Sequence, residues 1–162
     1  MHTEIPLATI RTRRRLKVLL AGLIGLFVVL INYGHAADGK GGQPQLPTIE
    51  LGVGERTLVV EVASSSEQRY NGLSFRTRLG ADEGMLFVYA EPRELTFTMR
   101  NTLLPLSIAY IDADLVIHEI LDMDVGPGQL FPSQGVVKYA LEVNQGWFEQ
   151  HGITKGTRVQ LR

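Results

Sequence analysis

The sequence contains no cysteine among its 162 residues. A disulfide framework, a thiolate metal site and a cysteine nucleophile are therefore excluded. Histidine is also scarce, since only His118 and His151 occur beyond position 36. The pattern places the first within a strand and the second at the end of a helix, so the two do not make a histidine metal site. We expect neither a bound metal nor a cofactor.

The common catalytic signatures are missing as well. No G-x-S-x-G, phosphate-loop, G-x-G-x-x-G or H-E-x-x-H pattern occurs, which removes the usual marks of hydrolases, nucleotide-binding proteins and zinc proteases. The acidic pairs Asp112 with Asp114 and Asp122 with Asp124 offer oxygen ligands to calcium. The third ligand and the closing glutamate of an EF-hand loop are absent, however. We interpret these carboxylates as solvated loop and turn residues.

Positive charge is scarce in the body of the chain. Residues 37–162 carry 11 lysines and arginines against 16 aspartates and glutamates, a balance of −5. The other basic residues lie between Arg11 and Lys17, where a targeting sequence has them. Because a basic field that attracts a phosphate backbone is missing, we expect no nucleic-acid partner.

A single long apolar run follows the basic cluster. It extends over Val18–Ile31, which is 14 residues. A spanning helix needs about 20 apolar residues and a signal-peptide core about 7 to 15, so the run fits the shorter template. Gly34 and Ala36 supply the small residues for cleavage. We interpret residues 1–36 as a secretory signal peptide, with an uncleaved N-terminal membrane anchor as the alternative.

The compartment and the domain limits follow from this segment. The strongly apolar core favours the ordinary secretory route over the twin-arginine route that Arg13 and Arg14 weakly suggest. We therefore expect a periplasmic or other extracytoplasmic protein, which contacts the membrane only through the N-terminal segment. Residues 37–47 are rich in Gly, Pro and Gln and predict a flexible linker. Residues 48–162 have the length of one domain.

Short apolar runs bounded by turn residues fill the chain from Thr48 onward, a pattern typical of strands. They predict eight strands, at 48–53, 57–63, 85–89, 95–99, 107–112, 115–121, 137–143 and 157–161. Asp112, Ala113 and Asp114 predict a tight turn, since aspartate bonds to its own backbone there.

Two short helices are predicted between the strands. Ser64 and Glu67 have the spacing of a capping box for a helix over 65–71, which Gly72 ends. Asn144 is predicted to cap the second helix, within QGWFEQH.

Gly152 is predicted to end the second helix, and Trp147 and Phe148 to pack it against the wall of the sheet. Together the elements predict a mostly β (α+β) fold, a small antiparallel barrel-like or sandwich domain with two short helices over its open edges. Neither helix is long enough to cross over between parallel strands, so an alternating α/β fold is not expected.

Three consecutive polar residues, Arg100, Asn101 and Thr102, lie between the fourth and fifth predicted strands. Two interpretations are open. In the first, Asn101 and Thr102 bond to their own loop while Arg100 pairs with a nearby carboxylate. In the second, Arg100 together with Arg76 binds a carboxylate, a phosphate or an acidic sugar through its paired guanidinium donors.

Six short motifs occur in order between Thr57 and Leu161. They are Gly72-Leu73 with Arg76; Gly84-Met85-Leu86-Phe87; Phe97-x-Met99-x-Asn101-Thr102; Pro105-Leu106 leading to Ile111-Asp112; Leu141-Glu142 with Gly146; and Gly152-Ile153 with Gly156. Together they resemble the bacterial and archaeal family called domain of unknown function 192, or uncharacterised protein family 0127. The resemblance implies a small, mostly β, barrel-like and often exported domain, and it implies no particular activity.

The chain differs from that family pattern at five positions. The family usually has Trp where Thr98 stands, Lys where Arg100 stands, Met where Ser74 stands, and Asp where Ser107 and Thr157 stand. Arg100 keeps the positive charge, whereas Thr98 and Ser107 remove an aromatic wall and a carboxylate. A family site built on those two groups would here bind a different ligand or bind more weakly.

Three hypotheses for function follow. The first is an envelope-associated binding or accessory module for an anionic small molecule or a saccharide. Its candidate site residues are Arg76, Arg100, Asn101, Thr102, Asp112 and Glu142. The second is a hydrolase or lyase acting on an envelope polymer, with Glu142 or Asp112 as acid or base and Arg100 stabilising developing negative charge. For a glycoside substrate the paired acids would be Glu119 or Glu142 with Asp112. The third is a module that binds an envelope protein through the apolar segment Leu103–Leu106.

Overall fold

The structure is a computed structural model that describes residues 42–126 and 128–162. The predicted signal peptide or anchor, residues 1–36, and the first part of the predicted linker, residues 37–41, lie outside the described residues. No helix within the described ranges is both long and apolar enough to cross a membrane.

The described chain forms nine strands and two short helices. In order they are β1 (Thr48–Val53), β2 (Arg56–Ala63), α1 (Ser66–Asn71), β3 (Glu83–Arg93), β4 (Thr96–Thr98), β5 (Leu106–Ile111), β6 (Ile117–Met123), β7 (Leu130–Pro132), β8 (Val137–Asn144), α2 (Trp147–Gln150) and β9 (Val159–Leu161). All eight predicted strands are present, the first with the predicted ends and the other seven with shifted ends. β7 was not predicted, because a three-residue strand that ends in proline gives little sequence pattern.

Seven strands form one sheet in the order β6-β5-β8-β3-β2-β1-β9, and β4 pairs with β7 in a small second sheet. The expectation of a mostly β domain with two short helices is confirmed. The expectation of a wholly antiparallel sheet is wrong at one place, since β2 and β3 are parallel. The crossover between them consists of α1 and the irregular segment 72–82. In most pairs of parallel strands a long helix makes this connection, whereas here a short helix and an irregular segment make it.

The large sheet curls until its two edge strands meet at one end. Val116 bridges Arg158, the Ile117 amide donates to the Thr157 carbonyl at 2.9 Å, and the Val159 amide donates to the Leu115 carbonyl at 2.8 Å. The sheet is therefore a half-barrel with one closed corner. Pairing at this corner covers backbone groups that an open edge leaves exposed.

Both faces of the curled sheet are apolar and buried. The inner face carries one core cluster, into which α2 inserts Trp147 and Phe148, as predicted. The outer face carries a second cluster, which includes Phe97 and Phe131 of the small sheet. Alternation along the strands separates the faces, because successive side chains of a strand point to opposite sides. Burial of both clusters is the main source of stability.

One row of paired residues crosses the outer face through four strands. Glu61 of β2 lies beside Met85 of β3, which lies beside Glu142 of β8, which lies beside Ile108 of β5. Two carboxylates therefore stand in a row that is otherwise apolar. Glu61 is 7% exposed and Glu142 is 5% exposed.

Both helix N-caps differ from the sequence prediction, by one residue in α1 and by two in α2. The capping box of α1 uses Ser65 and Gln68 instead of Ser64 and Glu67. Gln68 accepts bonds from the amides of both serines, so the glutamine outcompetes the glutamate for this role. Gly72 ends the helix with a positive φ of +50°, as expected.

The second helix begins after Gly146 and has no side-chain cap, so the prediction of an Asn144 cap is wrong. β8 extends to Asn144, which is one residue further than predicted. The Asn144 side chain instead donates to the carbonyls of Leu79 and Gly80, at 3.3 and 2.8 Å. It thereby ties the crossover segment to the outer face.

The predicted linker overlaps the described chain at residues 42–47, where it contacts the domain. Gln43 Nε2 donates to the carbonyls of Gln68 and Gly72 at the end of α1, at 3.1 and 2.9 Å. The Pro47 carbonyl accepts from the Val62 amide at 2.9 Å. This part of the chain is held against β2 and α1 by backbone and amide hydrogen bonds.

Candidate functional site

The polar trio that follows β4 forms a turn. The Thr102 amide donates to the Met99 carbonyl at 3.1 Å, and Asn101 has a φ of +60°, which asparagine tolerates better than most residues. Thr102 is buried, with 8% of its surface exposed. Asn101 and Thr102 thus form the turn through their backbone groups, and neither side chain makes a hydrogen bond with a described residue.

A second loop, residues 73–76, lies directly against this turn. The Phe75 amide donates to the Asn101 carbonyl at 2.8 Å, and Ser74 Oγ lies 3.5 Å from the Arg100 carbonyl. Phe75 also has a positive φ, +61°. Two loops that each hold a residue in a sparsely populated conformation are therefore locked together, and such positions often serve function.

Arg100 does not make the carboxylate pair that the first interpretation requires. Its guanidinium forms no ion pair or hydrogen bond with a described residue. Its Cζ atom lies 4.7 Å from the centre of the Tyr70 ring, a cation–π contact. Tyr70 itself is 70% exposed. The five donors of the guanidinium are therefore held over an exposed aromatic ring and face solvent.

Two further exposed apolar side chains belong to the same loops, Phe75 at 36% and Leu103 at 52% exposure. We call Tyr70, Phe75, Arg100 and Leu103 the Arg100 surface. It combines a planar cation with aromatic and aliphatic groups. Tyrosine and arginine are also the residues that dominate binding surfaces in general.

Arg76 is not available to join Arg100 at a ligand. Its Nη2 atom binds Glu61 Oε2 at 3.0 Å, and the same oxygen accepts the Leu46 amide at 2.7 Å. The side chains are 24% and 9% exposed. Glu61 thus joins three segments: the chain before β1, β2, and the loop that carries Phe75. Arg76 Nε is buried and has no hydrogen-bond partner among the described residues.

Replacing Glu61 with glutamine is expected to lower the free energy of unfolding by about 1–2 kcal/mol. The change leaves Arg76 partly buried without its counter-charge, and the remaining exposure of Arg76 limits the cost. Chemical denaturation at neutral pH measures the effect. Glu50→Gln, which removes an exposed carboxylate from neighbouring β1, is the matched control. Equal loss in both variants would contradict the structural role of the Glu61–Arg76 pair.

Glu142 lies on the outer face of β8 between Met85 and Ile108. Its carboxyl group makes no hydrogen bond with a described residue. Burial raises the pKa of Glu142 from 4.5 to about 8, since the surroundings disfavour the charged form. Burial raises the pKa of nearby Tyr110 as well, with a smaller contribution from the Glu142 charge. Glu142 is therefore a neutral acid at neutral pH, and it is separate from the Arg100 surface.

Asp112 belongs to a different part of the fold. Its Oδ1 atom accepts the amides of Asp114 and Val116, both at 2.9 Å, so its carboxylate holds the β5–β6 turn. It stands four residues beyond Ile108, the partner of Glu142, which is about 13 Å along a strand. The structure does not bring Asp112 and Glu142 together as paired acids.

No cluster of metal-ligating side chains is found among residues 42–126 and 128–162. His118 lies exposed on β6, and His151 Nδ1 lies 2.8 Å from the Trp147 carbonyl after α2. Glu119 accepts the Gln134 amide at 3.1 Å. These contacts are structural ones within the fold.

Glu61, Tyr70 and Phe75 are three residues of this region that the sequence motifs did not single out. Glu61 is the single charge between Val60 and Val62, and a lone charge in an apolar strand is a usable indication of a buried pair. Tyr70 gave no indication, because an aromatic residue on a short helix is more often packed against a core.

Comparison with known proteins supports the fold and the family pattern. Residues 49–161 match the model of a family described as DUF192, an uncharacterised ACR family. The chain is 31% identical to a proposed transcription regulator from Sinorhizobium meliloti 1021, with a TM-score of 0.70 over 74% of this chain and 98% of that one.

It is 32% identical to a protein of unknown function from Novosphingobium aromaticivorans, with a TM-score of 0.68 over 77% of this chain and 94% of that one. No curated protein matches the sequence. The matches cover the β domain and assign no ligand or reaction to it.

Proposed function

The chain belongs to the DUF192 family, which carries no assigned activity, and we propose that its domain is an extracytoplasmic binding module for an anionic small molecule or an acidic sugar. The ligand binds at the Arg100 surface. One observation carries the proposal: the Arg100 guanidinium faces solvent without a carboxylate partner in the described chain, above the exposed ring of Tyr70.

The chemistry of this surface fits a planar carboxylate attached to a partly apolar body. A guanidinium binds a carboxylate through two parallel hydrogen bonds, which gives orientation as well as attraction. The exposed faces of Tyr70 and Phe75 offer apolar area beside that charge. Sugar acids combine a carboxylate with an apolar ring face, so both parts of the surface are used.

The rigid loops make the arrangement suitable for binding. The 73–76 loop and the 99–102 turn are joined by the Phe75–Asn101 hydrogen bond. The Glu61–Arg76 pair anchors the first of these loops to β2. A cation held in place before the ligand arrives loses less conformational freedom on binding, which favours affinity.

Two alternatives have less support. Glu142 is a neutral acid, as a general acid must be, but it is buried and stands far along the sheet from Asp112, so an acid–base pair is not assembled. A protein-binding patch over Leu103–Leu106 is limited, since Leu106 is fully buried and Leu104 is half-buried, which leaves Leu103 and Pro105 exposed. The regulator description of one neighbour does not extend to DNA binding here, because residues 37–162 carry a balance of −5.

Replacing Arg100 with alanine is expected to weaken binding of glucuronic acid about tenfold or more, which corresponds to the loss of a charge-assisted bidentate contact. Tyr70→Ala is expected to weaken it about two- to fivefold through lost ring contact. Calorimetric titration of the purified domain with glucuronic acid, and with glucose as the neutral comparison, measures both effects.

The matched control is Arg56→Ala. Arg56 is an exposed arginine at the start of β2 with no aromatic neighbour in the described structure, so this variant loses the same charge. If Arg56→Ala and Arg100→Ala weakened binding of glucuronic acid equally, the effect would come only from the loss of one positive charge. Binding of glucuronic acid by Arg100→Ala at wild-type strength would overturn the proposal.

A further inference from the structure

A depression of about 390 Å³ lies beside the Arg100 surface, between α1 and the chain at residues 42–46. The helix lines it with Glu67, Gln68 and Asn71, and the preceding segment lines it with Gln43. Residues 67 and 71 share one side of the helix, since they are four positions apart. No lysine or arginine is found among the described residues that line the depression.

Backbone contacts orient two of the three side-chain amides in this depression, those of Gln43 and Gln68. Gln43 Nε2 is used by two carbonyls, which leaves Gln43 Oε1 as an acceptor. Gln68 Oε1 is used by the amides of Ser64 and Ser65, which leaves Gln68 Nε2 as a donor. The Asn71 side chain is half-buried and makes no hydrogen bond with a described residue. The depression thus offers an acceptor from Gln43, a donor from Gln68, and both a donor and an acceptor from the Asn71 amide.

Hydroxyl groups match this set, because each hydroxyl both donates and accepts. An anionic ligand does not match, since Glu67 supplies the only charge among the described residues of the lining and it is negative. The lining therefore selects a neutral polyhydroxyl group.

The depression is contiguous with the Arg100 surface around α1. Tyr70 precedes Asn71 in the chain, and successive residues of a helix point about 100° apart. The Tyr70 ring and the Asn71 amide therefore occupy neighbouring sides of the same helix. A ligand that reaches from one to the other passes around a single turn.

We propose that this depression is a second subsite, for a neutral sugar unit, so that the ligand of the domain is an acidic oligosaccharide in which charged and neutral units are joined. This rests on the proposed function, because it takes the charged unit to bind at Arg100. The neutral unit binds to Gln43, Gln68 and Asn71 through its hydroxyl groups. The chain length of the saccharide then contributes to affinity.

The test compares two probes by calorimetric titration. One is glucuronic acid, and the other is a tetrasaccharide of alternating glucuronate and N-acetylglucosamine. The wild-type protein is expected to bind the tetrasaccharide about tenfold more tightly than the single unit. Asn71→Ala is expected to reduce that gain to about threefold or less, while its affinity for glucuronic acid stays within about twofold of wild type.

Asn71→Asp, which keeps the shape of the side chain, is a second variant in case the alanine protein is poorly folded. Gln45→Ala removes an exposed amide of the same segment outside the lining and serves as the control. Equal binding of both probes by wild type would overturn the second subsite and leave the Arg100 site standing. If both Asn71 variants still preferred the tetrasaccharide over glucuronic acid as strongly as wild type does, the second subsite would be overturned as well.

Absence of binding to either probe would overturn both proposals for this class of ligand. If Arg100→Ala no longer bound glucuronic acid but still bound the tetrasaccharide, the second subsite would be supported. The same result would confirm that Arg100 holds the charged unit. Thermal unfolding of each variant, recorded alongside, separates loss of binding from loss of fold.

Discussion

Gly84→Ala is expected to destabilise the domain by about 3 kcal/mol or more, because an added methyl group has no room. A Cβ atom at this position would lie 2.5 Å from the carbonyl oxygen of Glu142 and 3.1 Å from Cγ1 of Val143. Both belong to β8, which pairs with β3 in the middle of the sheet. A backbone oxygen in a central ladder cannot move away without disturbing its own hydrogen bonds.

Chemical denaturation of the two proteins measures this loss. Gly126→Ala is the matched control, since a Cβ there meets no atom within 4 Å. It is expected to change stability by less than about 0.5 kcal/mol, as for surface substitutions in general. If Gly84→Ala were as stable as Gly126→Ala, the close pairing of Gly84 with Val143 would be wrong.

Glu142→Gln is expected to make the domain more stable than wild type at alkaline pH and equally stable in acid. The folded wild-type protein holds the Glu142 proton with a pKa of about 8, against 4.5 when unfolded. Between these values the folded state binds more protons than the unfolded chain, so wild-type stability falls as pH rises. The slope approaches about 1.4 kcal/mol per pH unit and the loss levels off above pH 8.

The measurement is the free energy of unfolding at steps from pH 4.5 to pH 9 for both proteins. The difference in the free energy of unfolding between the two proteins should grow to about a few kcal/mol across this pH range and stay constant at higher pH. Glu91→Gln removes an exposed carboxylate from β3 and controls for a change of net charge. Parallel pH profiles for wild type and Glu142→Gln would show that the carboxyl group is solvated.

Eight of the nine described strands could be predicted from the sequence because each is a short apolar run between turn residues. Asp112 is a good example: its residue type and position indicated a turn, and its carboxylate does accept two turn amides. The parallel pairing of β2 with β3 could not be predicted. It depends on the path of segment 72–82, which Asn144 fixes from far along the chain.

The candidate site was predictable only in part, for the same reason. The turn character of Asn101 and Thr102 is local, and the sequence indicated it. The role of Arg76, which lies in a loop, depends on Glu61, 15 residues earlier on β2. Tyr70 beneath Arg100 likewise depends on how α1 packs against the turn after β4. Contacts between distant segments have no pattern in a single sequence.

The closed corner between β6 and β9 has a kinetic consequence. Its pairing needs Arg158 and Val159, at the start of β9, which follows all the other strands in the described chain. Until β9 has docked, β6 and β1 both remain unpaired edges, and such edges join other chains readily. The half-barrel therefore closes only when the strand most distant in sequence from β1 has paired with it. A truncation of even the final strand is expected to yield an aggregating protein.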